Sequence, residues 1–196
     1  GGEQSGFINE MGFETYQKIL DEAINELKED SFKNLNLEKN KFSKKVNVVF
    51  ETDLELMFPN NYINSSTERL KLYTQLNKIC ELDELNLFKL ELTDRFGTLP
   101  NVVVELLNSL ELRWLAGALG FDKIVLKKNI LISYMMNFDS DEQKKKIDKL
   151  FDYSKLNPNS ISFSQKKLAD GDRFIVKIKN IDSVSKAIKV LEDINT

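Results

Sequence analysis

Apolar residues recur along the chain with helical and strand-like spacings, and these patterns divide it into elements. Between residues 13 and 29 the apolar positions return every three or four residues, which predicts an amphipathic helix. This helix follows a glycine-rich loop at 1–12 and precedes a polar, basic linker at 31–45. Residues 46–58 alternate well enough to predict an extended strand, which should end at Pro59-Asn60-Asn61.

Three helices are predicted in the middle of the chain from their start and stop signals. The first begins at the capping box Ser65-x-x-Glu68, in which a hydroxyl and a carboxylate satisfy free backbone donors. The second extends from Leu82 to Phe96 and ends at Gly97, a residue that suits a left-handed helix terminus. The third opens at Pro100, a residue suited to the first helical position, and reaches Leu119.

Residues 121–196 have a different layout, in which short strands alternate with helices. The pattern predicts two strands, a helix, two more strands and a final helix, which together form a small β-β-α-β-β-α unit. The predicted elements are strands 121–127 and 130–135, a helix from the Asp139-x-x-Glu142 cap to Tyr153, strands 161–165 and 173–179, and a helix from Asp182 to Ile194. The predicted fold class is therefore α+β, with about four helices and one extended strand ahead of this unit.

Composition and charge exclude several classes of function. The chain has 28 basic and 31 acidic residues and a formal net charge of −3. A protein that coats nucleic acid is expected to have a positive electrostatic field, which this composition does not provide. The absence of histidine excludes histidine-dependent nucleophilic catalysis and histidine-ligated metal sites. The single Cys80 excludes an internal disulfide and fits a reducing, cytoplasmic setting. No apolar run approaches the ~20 residues that cross a bilayer, so we expect no membrane partner.

Candidate catalytic and metal sites are few. No phosphate-binding glycine loop, nucleophile elbow or calcium-loop motif occurs. Glu51, Asp53 and Glu55 alternate along the predicted strand and could hold a divalent metal, but an exposed strand face gives the same pattern and is the preferred interpretation. Because the sequence begins at Gly1-Gly2 without methionine, we expect a fragment of a longer protein. In the absence of a recognisable site, we also expect that this fragment is not an enzyme itself and binds no cofactor.

An acidic face on the second middle helix is harder to assign. Glu91 and Asp94 are three residues apart and therefore share a helix face. Asp94 falls in the last turn, where the helix dipole disfavours negative charge by ~0.3–1 kcal/mol. Arg95 follows Glu91 by four residues and would neutralise part of the patch. Two interpretations stay open at this point: a face that is kept for a basic partner, and a face that is merely solvated.

At these residues the sequence resembles the C-terminal domain of the bacterial transcription-repair coupling factors, the Mfd family. The resemblance rests on residues 62–63 (YI), 68–73 (ERLKLY) and 91–100 (ELTDRFGTLP), against a family pattern of roughly YIP…RLxLYRRL…ELxDRFGPLP. Asn64 and Thr98 stand where that pattern has prolines. The N-terminal stretch from Gly2 to Tyr16 is similar to the end of the same family's translocase motor, within a translocation motif shared with RecG-type translocases.

The resemblance implies a motor protein of which this chain is a regulatory part. The whole protein would be an ATP- and Mg-dependent translocase on double-stranded DNA that displaces stalled RNA polymerase and recruits nucleotide excision repair. Residues 1–30 would be the tail of the motor, and Gln4 would match the glutamine of its translocation motif. Residues 46–196 would be the C-terminal regulatory domain, helical over 46–120 and α/β over 121–196.

The resemblance also implies a partner for the acidic face. In the family this domain docks on an N-terminal module that resembles UvrB, and it covers the surface that recruits UvrA. Carried over, Glu91 and Asp94, with Arg95 beside them, become the interdomain docking residues. The alternative is a non-catalytic module that binds DNA or RNA polymerase directly through its lysine-rich linker and helix.

Overall fold

The structure, a computed structural model, describes residues 12, 15, 48–136, 138–168 and 171–196. The predicted N-terminal loop, helix and linker, and Gln4 with them, lie almost entirely outside the described residues. The helices of the described part are α1 (Ser66–Leu76), α2 (Leu82–Phe96), α3 (Asn101–Ala118), α4 (Asp141–Leu156) and α5 (Val184–Asn195). Its strands are β1 (Val49–Thr52), β2 (Lys123–Lys127), β3 (Ile130–Met135), β4 (Ile161–Leu168) and β5 (Gly171–Lys179).

The strands form one mixed sheet in the order β1-β2-β3-β5-β4. Strand β1 pairs parallel to β2, and every other neighbouring pair is antiparallel. The α+β class and the β-β-α-β-β-α order predicted from the sequence are confirmed. The hairpin between β2 and β3 turns through Lys128 and Asn129, whose positive φ angles of 52° and 59° match the twist of a two-residue hairpin.

The strand predicted over 46–58 is wrong in length, because β1 stops at Thr52. Two side chains bend the chain at that point: Thr52 Oγ1 accepts a hydrogen bond from the Leu54 N–H, and the Asp53 carboxylate accepts one from the Lys128 N–H, both at 3.0 Å. Pro59 therefore does not end the strand. Its carbonyl instead accepts from the N–H groups of Tyr62 and Ile63 and forms a separate turn.

The last strands are longer than predicted. Strand β4 continues to Leu168 and β5 begins at Gly171, so the ladder extends through Lys166 and Arg173. Residues 164–167 are exposed, which removes the apolar alternation while backbone pairing continues. Because this part of β4 buries no apolar side chain, its sequence lacks the alternating pattern from which a strand is predicted.

Two helix caps lie one residue further along the chain than predicted. Ser140, not Asp139, caps α4, and its hydroxyl accepts from the Gln143 N–H at 3.3 Å. Ser183, next to the predicted Asp182, caps α5 in the same way. Serine and aspartate serve equally well at this position, so the composition alone does not choose between adjacent candidates.

The described residues fall into two compact units. Residues 55–107 belong to the first, and residues 48–54 with the described residues from 108 onward belong to the second. In the second unit one face of the sheet is buried together with the apolar side of α5, which comprises Val184, Ala187, Ile188, Leu191 and Ile194. The domain boundaries expected from the sequence stay a prediction.

In the first unit, buried polar groups of α1 hold the segment before it. The Arg69 side chain is only 3% exposed, and its Nη1 donates to Asn60 Oδ1 at 3.1 Å and to the Ile63 carbonyl at 2.5 Å. One turn further, the Tyr73 hydroxyl accepts from the Phe58 N–H at 3.0 Å, and burial raises the pKa of this tyrosine. These contacts explain why an arginine and a tyrosine stand four residues apart on the buried side of α1.

We predict that Arg69→Met lowers the free energy of unfolding by about 2–3 kcal/mol, since the guanidinium donates to two partly or fully buried oxygens that would lose their donor. Urea titration followed by circular dichroism measures this loss. Lys71→Met, at an exposed position of the same helix, is the control and should change stability by no more than about 0.5 kcal/mol. Equal losses for the two variants would contradict the assigned role of Arg69.

Candidate docking face of helix α2

Helix α2 forms over the predicted residues because its ends carry strong signals. Glu81 precedes it in an extended conformation, and Asp83 and Glu84 place negative charge in the first turn, where the helix dipole favours it. Gly97 ends the helix with a φ of 85°, which favours glycine over other residues. The prediction of a helix from Leu82 to Phe96 is therefore confirmed.

One side of α2 is buried and fixes the rotation of the helix. Leu85, Phe88 and Leu92 recur at three- and four-residue spacing and are 0%, 5% and 0% exposed. The opposite side carries a row of residues at spacings of four, three and four, which we call the outward stripe: Asp83, Leu87, Leu90 and Asp94. Leu87 is 67% exposed and Leu90 66%, so this stripe presents most of two apolar residues to solvent.

Glu91 lies beside the stripe and is tied to Arg95. The Nη1 of Arg95 donates to Glu91 Oε1 at 2.9 Å, while its Nη2 pairs with Glu68 on α1. The hydrogen bond that Arg95 donates to Glu68, followed by the one that it donates to Glu91, raises the pKa of Arg95. Arg95 therefore bridges the two helices and neutralises the part of the patch that Glu91 contributes.

The capping box predicted at the start of α1 forms only in part. Ser65 accepts a hydrogen bond from the Glu68 N–H at 3.3 Å, as predicted. The carboxylate of Glu68 takes a different partner, since it forms the ion pair with Arg95. The family-like ERLKLY and DRFG blocks are thus joined directly by this pair.

Asp94 differs from Glu91 in its surroundings. It is exposed, and within the described part of the chain it forms no ion pair. It occupies the last turn of α2, where the unpaired backbone carbonyls repel a carboxylate. The two residues singled out from the sequence therefore share a helix, but only Asp94 belongs to the outward stripe.

The C-terminal end of α2 is held by Tyr62. Its hydroxyl donates to the carbonyl oxygens of Leu92 at 3.2 Å and Gly97 at 3.1 Å, and burial raises its pKa. The Tyr62 and Phe96 rings meet edge to face with centroids 5.9 Å apart, and the Arg95 guanidinium lies 4.8 Å from the Phe96 centroid. The motif residues around the DRFG block therefore fix the end of the helix that displays Asp94.

Leu87 and Leu90 were not identified from the sequence. A signal was present, because two leucines lie three residues apart on the side opposite the apolar face of an amphipathic helix. Such leucines are informative only when their exposure is known, since single exposed leucines are common on protein surfaces.

The carboxylates considered as metal ligands lie elsewhere: Glu51 and Asp53 have other partners, and Glu55 is exposed. Glu51 pairs with Lys123 at 2.7 Å and Lys127 at 3.4 Å, and the Lys123 hydrogen bond is the main cause of its lowered pKa. Among the described residues, no group of three or more cysteines and carboxylates could hold a metal ion. In the same part of the chain, no helix is both long and apolar enough to span a membrane.

Comparison with known proteins identifies the family. The family model of the TRCF domain matches residues 52–150. The transcription-repair-coupling factor of Rickettsia typhi is 30% identical over 172 residues, which cover 87% of this chain and 15% of that protein. The protein of the same name from Bacillus subtilis is 29% identical over 113 residues, covering 58% of this chain and 9% of its own length. The chain thus spans a small part of these relatives.

A solved structure has a similar fold. The crystal structure of the C-terminal domain of transcription-repair coupling factor superposes with a TM-score of 0.54 at 14% identity, covering 76% of this chain and 92% of that domain. At this identity the likeness concerns the fold alone. Together with the family model, which covers the YI, ERLKLY and DRFG blocks, it confirms the resemblance predicted from the sequence. The chain belongs to the TRCF domain family, which is found in transcription-repair coupling factors.

Proposed function

We propose that this chain is a non-catalytic regulatory domain of a transcription-repair coupling factor and that it acts through the face formed by α2. In this proposal the face docks on the UvrB-like N-terminal module of the same protein. Docking covers the surface that recruits UvrA and restrains the motor. Glu91, Asp94 and Arg95 are the docking residues, and release of the contact during repair exposes the recruiting surface.

The wider activity belongs to the rest of the protein. The whole protein is proposed to translocate on double-stranded DNA, to displace stalled RNA polymerase and to recruit nucleotide excision repair. ATP and Mg²⁺ would be bound by its motor, and Gln4 would contribute to the translocation motif of that motor. This chain would reach UvrA, RNA polymerase and DNA only indirectly.

The exposed carboxylate of Asp94 is the observation that carries the proposal. It stands in the last turn of α2, where the backbone disfavours it, and in the described part of the chain it has no ion-pair partner. Residues 81–95 contain five acidic residues and only two basic ones, Lys89 and Arg95. A charged contact suits a switch, because charge complementarity confers specificity and salt sensitivity more than affinity.

We predict that Glu91→Lys combined with Asp94→Lys in the full-length protein releases the docked state. The two new lysines would repel a basic partner surface. This repulsion should shift the docking equilibrium at least about tenfold towards the open form. Pull-down of UvrA and the basal ATPase rate should both rise. Asp94→Lys alone should have the larger effect of the two single changes, since Glu91 is already paired with Arg95.

The matched control is Glu192→Lys combined with Asp193→Lys, which reverses two exposed carboxylates near the end of α5 in the second unit. This control changes the net charge by the same amount and should leave UvrA recruitment and ATPase activity as in the unaltered protein. Unchanged recruitment and ATPase activity in the α2 variant would contradict the proposed docking.

A titration with duplex DNA separates this proposal from direct DNA binding. The 196-residue chain is mixed with labelled duplex at several salt concentrations, and binding is followed by fluorescence anisotropy. Because the chain is slightly acidic, we expect negligible binding at physiological ionic strength. Appreciable affinity that falls steeply with salt would instead support a module that contacts DNA itself.

A further inference from the structure

We infer that Leu87 and Leu90 form the apolar anchor of the docking face and that their partner is a protein surface with an apolar cleft flanked by basic side chains. The inference rests on the proposed function and adds the chemistry of the partner. It assigns the affinity of docking to the leucines and its specificity to the carboxylates around them.

The exposure and spacing of the two leucines support this role. They are 67% and 66% exposed, and they lie three residues apart on the side of α2 opposite the buried Leu85, Phe88 and Leu92. Rotation of the helix cannot bury them without exposing those three residues. In the part of the chain that the structure describes, the pair is therefore available for an external contact.

The charges around the leucines define the kind of partner. Asp83 and Asp94 bracket the leucines along the outward stripe, and the exposed Glu84 and Glu91 lie on one flank. Arg95 offsets the charge of Glu91, so Asp83, Glu84 and Asp94 keep the rim negative. A negative rim repels the phosphates of nucleic acid and attracts arginine or lysine. An apolar centre within a charged rim is the usual layout of a protein–protein interface. The stripe thus fits a basic protein surface and not DNA.

The stripe is also held in place before it binds. Arg95 joins α2 to Glu68 on α1, and the Tyr62 hydroxyl contacts the carbonyls of Leu92 and of Gly97, the residue that follows α2. A partner that docks on the stripe has little backbone to order, so most of the energy from burying the leucines is available for binding. Two leucines three residues apart are neighbours on the helix surface, so one apolar cleft can bury both of them.

The test uses the full-length protein and compares three variants for UvrA recruitment at low and high salt. Leu87→Ala combined with Leu90→Ala should raise recruitment about tenfold at both salt concentrations, since apolar burial is not screened by ions. Glu91→Gln combined with Asp94→Asn should raise recruitment clearly only at low salt, because added ions already weaken the charged contacts. Leu156→Ala, at a leucine that is 83% exposed in the second unit, is the control and should have no effect.

Folding is not expected to limit this experiment, because alanine is the best helix former and both positions are exposed. Circular dichroism of each variant checks this, and Leu87→Gln combined with Leu90→Gln provides a second pair of the same size and without charge. A salt-independent rise in both leucine pairs supports the anchor.

The possible failures are distinguishable. If the leucine variants recruit UvrA as the unaltered protein does while Glu91→Lys with Asp94→Lys releases docking, the anchor is wrong and the proposed function stands. If neither set of variants changes recruitment, both the proposed function and the leucine anchor are wrong. If only the leucine variants release docking, the anchor stands and the charge pairing is wrong.

Discussion

Burial of Leu85, Phe88 and Leu92 is the constraint on which the outward stripe of α2 depends. These three side chains fix the rotation of α2, and helical geometry then places Asp83, Leu87, Leu90 and Asp94 on the opposite side. The bridge from Arg95 to Glu68 and the hydroxyl of Tyr62 hold this orientation at the end of the helix. Exposed ion pairs contribute little stability, so the value of this bridge lies in orientation.

The residues that carry the family resemblance thus fall into two kinds. Arg69 and Tyr73 are buried and hold the segment before α1, so they support the fold. Glu91 and Asp94 are exposed, and only Asp94 stands on the outward stripe. A motif that looks uniform in the sequence therefore combines buried residues that support the fold with exposed residues that we propose as contact residues. The leucines of the stripe, Leu87 and Leu90, lie outside the quoted motif blocks.

Elements set by local signals were predictable from the sequence, and features set by distant contacts were not. Helix α2 was predicted to the residue, since Gly97 marks its end and the apolar spacing its body. The end of β1 coincides with hydrogen bonds that the Thr52 hydroxyl and the Asp53 carboxylate accept, and the donor to Asp53 is the backbone N–H of Lys128, far along the chain. The acidic pair was identified from spacing and the helix dipole. The exposure of Leu87 and Leu90 could not be predicted from the sequence, because it depends on which side of α2 packs against the rest of the fold.

Solvent access to the leucines of α2 tests the central claim most directly. Hydroxyl-radical footprinting with mass spectrometry measures the oxidation of single leucine side chains in the 196-residue chain and in the full-length protein. Docking through the outward stripe predicts that Leu87 and Leu90 are oxidised readily in the isolated chain and protected several-fold in the full-length protein, while Leu156 reacts equally in both. Equal oxidation of Leu87 and Leu90 in the two proteins would contradict docking through this face.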